Sequence, residues 1–453
     1  MNTEDTIVAL ATPPGVGAIG VIRLSGKEAI PITKKVFKGK DLSQVASHTL
    51  HYGTIKDDDQ VIDEVVVSVF KGPNSYTKQD VIEISCHGSP YILQKVIKLL
   101  LKQGARLAKA GEYTLRAFVN GRFDLAQAEA VADLISSENE SMHKAAMNQM
   151  RGGFSAEIKA LREELVHFAS MIELELDFSE EDVEFASRDE LKKLIHNLQK
   201  LITALTESFN LGNAIKNGIP TVIAGKPNAG KSTLLNALLN EEKAIVSDIP
   251  GTTRDIIEDV IHIDGISFRF IDTAGIRTTE DHVEAIGVER AHARMKEAAV
   301  IIYLIDLAND TPHEVSQQLD YLKELGVPHL IVGNKADKAN EEVITALKDT
   351  DFLRISAHRK ENLDTLKEAL KEKVMLKDFK AGNTLVTTLR HYESLVETNQ
   401  SLDKVIEGID AGVTNDFLAM DIRNALLHLG EITGEITTDD LLDNIFSKFC
   451  IGK

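Results

Sequence analysis

Residues 225–232 read Gly225-Lys226-Pro227-Asn228-Ala229-Gly230-Lys231-Ser232 and decide the fold of the middle of this chain. An apolar run at 221–224 precedes them, and a helix-like run at 233–239 follows. In such a stretch glycines let the backbone N–H groups face inward, Lys231 reaches the outer phosphates, and the Ser232 hydroxyl holds Mg²⁺ at a helix N-terminus. Because a strand before and a helix after is the context this pattern needs, it predicts a phosphate-binding loop rather than a plain Gly-rich turn.

Two later stretches indicate that the nucleotide carries guanine. Asn334-Lys335-Ala336-Asp337 directly follows the apolar strand at 330–333. There the Asp337 carboxylate can accept hydrogen bonds from guanine N1–H and the 2-amino group, and adenine has neither donor. Ser356-Ala357 ends a further strand at 352–355 and is expected to close on the base. Open parallel sheets deliver ligands from the carboxyl ends of their strands, so we expect these groups at one edge.

Two stretches between the phosphate-binding loop and Asn334 are expected to bind Mg²⁺ and the γ-phosphate. Asp272-Thr273-Ala274-Gly275 ends the apolar strand at 266–271, and Thr253 of Gly251-Thr252-Thr253-Arg254-Asp255 is the predicted switch hydroxyl for Mg²⁺. Ile276 stands where Ras-like proteins carry the glutamine that orients the attacking water. Hydrolysis therefore needs another device, either a carboxylate such as Glu284 or an ion that replaces an arginine finger.

Bulk properties indicate a globular protein of several domains. The chain has 453 residues, 43% of them hydrophobic, which is ample for packed cores. Its two cysteines are far apart, and it shows neither a leader pattern nor an apolar run near the roughly 18 residues of a membrane helix, so we expect a cytoplasmic protein. The net charge of −19 argues against a surface that coats nucleic acid. Residues 1–121 hold 15 Lys and Arg against 12 Asp and Glu, so a polyanion is likelier to meet this part.

Patterning divides the chain into three kinds of segment. Up to about residue 120, strand-like runs at 7–11, 20–24, 61–70 and 81–85 precede one clear helix that begins at Pro90. In this part Cys86 fits a small core residue better than a nucleophile. Helical stripes follow, one from residue 125 to near 152 and others at 158–176 and 191–205. After the nucleotide segment, whose Asp264-Gly265 predicts a hairpin, helical patterns resume at 385–395, 417–429 and 441–449. Helical flanks on both sides of a complete α/β domain suggest an insertion.

Along its whole length the chain resembles the MnmE (TrmE) family of bacterial tRNA-modification GTPases. The motifs that carry the resemblance are the loop 225–232, the stretches 251–255, 272–275 and 334–337, Asp124-Leu125-Ala126-Gln127-Ala128-Glu129-Ala130, and the terminal Cys450-Ile451-Gly452-Lys453. The resemblance implies an α+β domain similar to tetrahydrofolate-binding aminomethyltransferases, a discontinuous helical domain, and an inserted Ras-like P-loop GTPase domain. The predicted limits are 1–121 for the folate-binding dimerisation domain, 122–217 and 378–453 for the helical domain, and 218–377 for the inserted domain.

The resemblance also implies an activity and its partners. Such proteins hydrolyse GTP to GDP in a K⁺-dependent manner and work with the FAD protein MnmG, here expected as a heterotetramer. Together they add a carboxymethylaminomethyl or aminomethyl group to C5 of the wobble uridine of certain tRNAs. The carbon comes from a tetrahydrofolate derivative, in the 5,10-methylene or 5-formyl form. The implied assembly is a cytoplasmic homodimer through the N-terminal domains, with no membrane contact.

The resemblance assigns metal and catalytic roles residue by residue. K⁺ would take the Asn228 side chain and oxygens of Ser247, Ile249 and Thr252, and can neutralise transition-state charge as an arginine would. Mg²⁺ would be held by Ser232 and Thr253, and the implied catalytic residues are Glu284, which orients water, Lys231, Thr252 and Cys450. The full predicted set of nucleotide contacts is Asn228, Ala229, Gly230, Lys231, Ser232, Thr233, Ser247, Asp248, Ile249, Pro250, Gly251, Thr252, Thr253, Asp272, Thr273, Ala274, Gly275, Asn334, Lys335, Asp337, Ser356 and Ala357.

The folate contacts implied by the resemblance are Arg23, Glu83, Arg122 and the terminal Lys453. A carboxylate such as Glu83 suits the donor edge of a pterin, and cations suit the glutamate tail. Arg122 replaces the lysine that is common at its position and keeps the charge. Patterning by itself predicts only a frayed tail after residue 449.

Two other functions remain open at this point. A ribosome-assembly GTPase of the Era or Der type is the first, although Era-like chains add a basic RNA-binding domain and Der-like chains a second nucleotide domain. In the second, the folate domain is a one-carbon transferase in its own right and GTP is regulatory. Folate binding without dependence on tRNA would favour that function.

Overall fold

The structure is a computed structural model, and it describes most of the chain. The described residues are 4–177, 188–243, 259–271, 295–374 and 384–452. The chain divides into two compact units, each built from segments that are separated in the sequence. The first unit takes Met1–Ser136, Ala146–Thr206 and Arg390–Lys453, and the second unit takes Ser137–Ala145 and Glu207–Leu389.

An N-terminal sheet contains seven of the described strands. They are β1 (Ile7–Leu10), β2 (Ile19–Ser25), β3 (Phe37–Lys38), β4 (Thr49–Asp57), β5 (Gln60–Phe70), β6 (Val81–His87) and β7 (Arg106–Leu107). Their order is β3-β4-β5-β6-β2-β1-β7, antiparallel except for the parallel pair β1 and β7. The four predicted strands are confirmed. The sequence did not predict β4, where Gly53 and polar residues interrupt any apolar run.

Three helices accompany this sheet, namely α1 (Ala29–Val36), α2 (Pro90–Lys102) and α3 (Glu112–Val119). Helix α2 begins at the predicted Pro90 and contributes its buried leucines and Val96 to the core. Since side chains alternate across a strand, the burial of Ile22, Leu24, Ile82 and Ile84 sends Arg23 and Glu83 to the opposite face. The register of β2 against β6 places Arg23 directly opposite Glu83.

Five helices follow in the sequence, namely α4 (Leu125–Ile135), α5 (Glu140–Met150), α6 (Gly153–Asp177), α7 (Arg188–Glu207) and α8 (Phe209–Asn217). The predicted continuous stripe from residue 125 to near 152 is wrong in one respect, because the helix ends at Ile135 and a new one begins at Glu140. Asp124 caps α4, since its side chain accepts from the Gln127 N–H while Gln127 bonds back to the Asp124 N–H.

The second unit is built on a sheet of six described strands. They are β8 (Ile219–Gly225), β9 (Asp259–Ile263), β10 (Ile266–Phe270), β11 (Val300–Asp306), β12 (His329–Asn334) and β13 (Phe352–Arg354). Their order is β13-β12-β11-β8-β10-β9, and only the β9–β10 pair is antiparallel. The predicted hairpin at Asp264-Gly265 is confirmed, because both residues take the positive φ angles of a tight turn. Helices α9 (Lys231–Lys243), α10 (Pro312–Leu325), α11 (Glu341–Ala346) and α12 (Leu363–Lys373) belong to this unit.

The chain then returns to the first unit through α13 (Leu389–Ala411), α14 (Asn415–Thr433) and α15 (Asp439–Phe446). Helix α14 packs against α6 and α4, and α15 packs against α3. Helices from both sides of the P-loop segment thus lie in one unit, which confirms the predicted fold class. The exact domain limits stay a prediction. None of the described helices combines the length and apolar character that a membrane crossing requires.

Candidate functional sites

The phosphate-binding loop lies between β8 and α9, as predicted. Gly225 and Gly230 have φ angles of 138° and 100°, and a Cβ at either would clash with Leu304 O or the Asn334 side chain. The Lys231 Nζ donates to Gly225 O at 2.8 Å and to Lys226 O at 2.7 Å. Its partial burial lowers the pKa of this ammonium. The loop therefore holds one cation at its centre, which suits an anionic ligand.

Other predicted residues of this loop are also placed. Asn228 is exposed in the left-handed region at φ 63°, Ala229 is buried, and Thr233 is exposed on α9. Ser232 lies in the first turn of α9, where the Mg²⁺-binding hydroxyl is expected. We call Gly225 to Ser232, together with the base-reading residues described next, the P-loop site.

The base-reading residues come from the carboxyl ends of β12 and β13. The Asn334 side chain donates to Ala229 O at 2.8 Å and accepts from the Ala357 N–H at 3.0 Å, so it ties the loop to the strand that follows. The Ser356 hydroxyl donates to Asp337 at 2.8 Å. This hydrogen bond is the main reason that the pKa of Asp337 is lowered, which keeps the carboxylate ionised for a donor pair. The predicted guanine-reading residues of this part are therefore brought together.

Three carboxylates beside the P-loop site were not predicted. Asp306 at the end of β11 is 5% exposed and accepts from Lys335 Nζ at 2.5 Å. Asp310 and Glu314 pair with Lys226 at 3.3 and 2.6 Å and so anchor the start of the loop. Asp306 was detectable by the rule that identified Asp337, since it is a carboxylate that ends an apolar strand. The ion pair of Lys226 crosses 84 positions and has no local pattern.

Several predicted residues lie outside the described part of the chain. They are Ser247, Asp248, Ile249, Pro250, Gly251, Thr252, Thr253, Asp272, Thr273, Ala274, Gly275, Glu284 and Lys453. Their roles stay predictions.

On the N-terminal sheet, Arg23 forms the centre of a second site. Its Nε and Nη2 contact Glu83 Oε1 at 2.8 and 2.7 Å. Its guanidinium also lies 5.7 Å from the centroids of both Tyr76 and Tyr113. The Arg122 guanidinium lies 5.2 Å from the Tyr76 centroid and donates to Ser75 O. We call Arg23, Glu83, Tyr76 and Arg122 the Arg23 cluster.

The Arg23 cluster joins three of the predicted folate contacts around an aromatic ring that the sequence did not single out. Tyr76 is held by the bond of its hydroxyl to Thr114 at 2.9 Å. Beside it, a cavity of about 520 Å³ is lined by Tyr76, Arg122, His48, Lys78 and four neighbouring residues. Arg23 and Glu83 are not among those residues. The arrangement offers cations and an aromatic face to a planar anion.

The described part of the C-terminal tail, residues 450–452, reaches the same region. Ile451 forms a β-bridge with Ala110, and the Gly111 N–H donates to Cys450 O at 3.4 Å. The Gly452 carbonyl accepts from Arg23 Nη1 at 3.3 Å. A frayed tail, which patterning by itself predicts, is therefore wrong for residues 450–452. The tail is instead docked beside the Arg23 cluster.

The two cysteines differ in environment. Cys86 is 2% exposed, and burial with the charge of Asp63 raises its pKa to about 12, which confirms a core role. Cys450 is exposed on the tail. Of the two thiols, that of Cys450 is therefore the one that a ligand in solution can reach.

Two protein-family models match this chain, one over its N-terminal part and one over the rest. A model of the N-terminus of the GTP-binding protein TrmE matches residues 6–122, and a model of the MnmE helical domain matches residues 125–450. The tRNA modification GTPase MnmE of Cytophaga hutchinsonii is 60% identical, over 100% of this chain and 98% of its own length. That of Christiangramia forsetii is 52% identical over 100% of both chains.

Among solved structures, the FeoB G-domain of Methanococcus jannaschii aligns with 34% of this chain and 97% of its own length. Its sequence identity is 21% and its TM-score is 0.25. The family matches by contrast run from residue 6 to residue 450, through both candidate sites.

Proposed function

Because this chain belongs to the MnmE family of tRNA modification GTPases, we propose that its GTP hydrolysis drives modification of C5 of the wobble uridine in certain tRNAs. The added group is carboxymethylaminomethyl or aminomethyl, and its carbon comes from a tetrahydrofolate derivative. The observation that carries the proposal is the presence of two separate sites on one chain, a P-loop site and an Arg23 cluster with a docked tail.

At the P-loop site, the residues of the chain bind and orient GTP. Lys231 meets the outer phosphates, and Asp337 accepts from the guanine edge while Ser356 holds it in place. The first-turn position of Ser232 fits a ligand of Mg²⁺, with Thr253 as the second hydroxyl. K⁺ would supply positive charge beside the phosphates, with Asn228, Ser247, Ile249 and Thr252 as its oxygen donors.

Catalysis at this site needs another group to orient the attacking water, because Ile276 occupies the position of the glutamine that does so in Ras-like proteins. We assign the orientation of the attacking water to Glu284. This assignment rests on the resemblance, and Thr252 is assigned to the same centre.

At the Arg23 cluster, we assign the binding of a tetrahydrofolate in the 5,10-methylene or 5-formyl form. The Glu83 carboxylate accepts from the donor edge of the pterin, and Arg122 with the terminal Lys453 meets the glutamate carboxylates. Docking of Gly452 against Arg23 supports the place given to Lys453, the next residue. The exposed thiol of Cys450, two residues before Gly452, is the group that we assign a chemical role.

The proposed assembly is cytoplasmic. It contains a homodimer joined through the N-terminal domains, in a heterotetramer with MnmG, which carries FAD. Transfer RNA is the common substrate of the two proteins.

Mass spectrometry of tRNA nucleosides tests the proposal. Cells that lack the gene are complemented with wild type, with Asp337→Asn, or with a chain that lacks Lys453. We expect C5-aminomethyl-type uridines with wild type alone. An unchanged nucleoside profile in the deletion strain would overturn the proposal and direct attention to ribosome profiles, as expected for an assembly factor.

A further inference from the structure

The Glu129 carboxylate of α4 is the centre of a buried ionic contact that the proposed function does not use. Its Oε1 accepts from Arg390 Nε at 3.1 Å, and its Oε2 accepts from Arg390 Nη2 at 2.8 Å. The Oε2 also contacts His391 Nε2 at 2.7 Å. His391 is 1% exposed, and Glu129 is 9% exposed. We call Glu129, Arg390 and His391 the Glu129 clamp.

Arg390 joins three helices through this clamp. It lies in the first turn of α13 and is the first residue of the segment that returns to the first unit. Besides Glu129 of α4, its guanidinium donates to Glu431 O at 2.6 Å and to Ile432 O at 3.2 Å, the last carbonyls of α14. Its planar fork thus satisfies a carboxylate and a helix end at the same time.

The clamp is electrostatically strong. Burial would raise the pKa of Glu129, but the charges and hydrogen bonds of His391 and Arg390 outweigh this and lower the pKa to about 2. A pair of this kind is costly to break on one side, because the remaining charge stays buried. The three helices are therefore fixed to one another by a single set of contacts.

One side of the clamp leads to the Arg23 cluster along α4. Helix α4 is capped by Asp124, and two residues earlier Arg122 lies over the ring of Tyr76. Arg122, a predicted folate contact, therefore lies only three residues before the start of the helix that carries Glu129.

The other side leads to the C-terminal tail. Helix α14 ends at Thr433, and a Cβ on the next residue, Gly434, would lie 2.7 Å from Leu125 Cβ of α4. Helix α15 then packs its Leu442 and Phe446 against Leu125 and Ala128. The tail follows, with its contacts to Gly111 and Arg23.

We propose that the Glu129 clamp positions the Arg23 cluster and the C-terminal tail for the folate substrate, and that Glu129 and Arg390 are positioning residues for the modification reaction. The inference rests on the proposed function in its folate part. In this proposal the clamp links the start of α13, where the chain leaves the second unit, to the folate site. GTP binding by the P-loop site does not depend on it.

The test uses the full chain with Glu129→Gln, which keeps the side-chain shape and removes the charge. Arg390→Lys is the second variant, because it keeps the charge and loses the fork. We expect both to bind 5-formyltetrahydrofolate about tenfold more weakly or worse, a typical size for a coupling between sites. Amide hydrogen exchange at Gly111 is expected to accelerate, while the rate of GTP hydrolysis stays within about twofold of wild type.

Leu165→Ala in α6 is the matched control. Leu165 is 1% exposed, so its loss destabilises the same unit without touching the clamp. A merely structural role predicts equal loss of folate affinity in this control and in the clamp variants at equal melting temperature, which would overturn the inference. Wild-type folate affinity and Gly111 exchange in both clamp variants would also overturn it. If wild type fails to bind folate but the clamp variants still accelerate exchange at Gly111, the folate assignment is wrong and the positioning role of the clamp stands.

Discussion

The P-loop site and the Arg23 cluster are assembled in different ways. The P-loop site takes its side chains from the carboxyl ends of strands in one sheet, so Lys231, Asn334 and Asp337 lie at the same edge because parallel strands end together. The Arg23 cluster takes Glu83 from 60 positions away and contacts Gly452 from 429 positions away. One site follows from local motifs and sheet topology, and the other requires the whole first unit to be folded.

This difference has a consequence for mutational behaviour. A substitution in the P-loop site is expected to weaken nucleotide binding without changing folate affinity, because the residues of this site depend on a self-contained sheet. The Arg23 cluster is expected to respond to changes at a distance, since the helices that carry Arg122 and the tail are held by the Glu129 clamp. Four measurements test this difference between the two sites.

The largest expected effect is that of Asp337→Asn on nucleotide choice. The amide cannot accept from both donors of guanine, so we expect GTP affinity to fall on the order of 1,000-fold, as for sites whose buried hydrogen bonds are lost. Xanthosine triphosphate should bind better than GTP, because its 2-oxo group can accept from the new amide. Titration with fluorescent nucleotides measures both. Retention of tight GTP binding would show that Asp337 does not read the base.

Acid unfolding tests the clamp. In the folded protein Glu129 stays ionised down to about pH 2, whereas its ordinary pKa is 4.5. Its contribution, roughly 3 kcal/mol, is present above about pH 4.5 and is lost as the pH falls towards 2. Denaturant melts between pH 2.5 and 6 should show a shallower pH dependence in Glu129→Gln than in wild type. Identical slopes would contradict a charged Glu129 in the folded state.

Arg23→Ala should separate the two sites. Loss of the guanidinium leaves Glu83 without its partner and removes one contact to the tail, so we expect folate affinity to fall between about 10- and 100-fold. The rate of GTP hydrolysis by the chain should not change. Isothermal titration with 5-formyltetrahydrofolate and a phosphate-release assay measure the two quantities on the same preparation. A parallel loss of both would contradict their independent construction.

The smallest effect is expected for Arg423→Ala. Arg423 of α14 pairs with Glu173 of α6 at 2.6 Å, but their side chains are 63% and 46% exposed. Exposed pairs of this kind contribute about 0.5 kcal/mol or less, so stability and folate affinity should stay near wild type. This variant separates the effect of burial from that of sequence distance, because the pair spans 250 positions, close to the 261 of Glu129 and Arg390. A loss as large as that of the clamp variants would show that distance matters more than burial.

Sequence patterns were sufficient for the sheet of the second unit and for the nucleotide contacts named from motifs, but not for Asp306 or the ion pairs of Lys226. The loop at 225–232, the Asp264-Gly265 turn and the strand ends at Asn334 and Ser356 all carry local signals, because turn geometry and burial on both faces restrict the residue types. The resemblance supplied Arg23, Glu83 and Arg122 as folate contacts, but no pattern indicated that both arginines lie near the ring of Tyr76. A tyrosine in a loop has no period and no spacing that reveals its neighbours.

Sequence patterns alone were enough to predict the P-loop, a mostly parallel sheet with one antiparallel edge, the helical flanks and the family of this chain. The tertiary structure decided which distant residues meet. It placed the tail beside Arg23, ended the helix at Ile135, and buried Glu129 against Arg390 and His391. The physical reason is that local motifs act through backbone geometry over a few residues, whereas buried ion pairs and docked termini depend on packing among segments hundreds of positions apart.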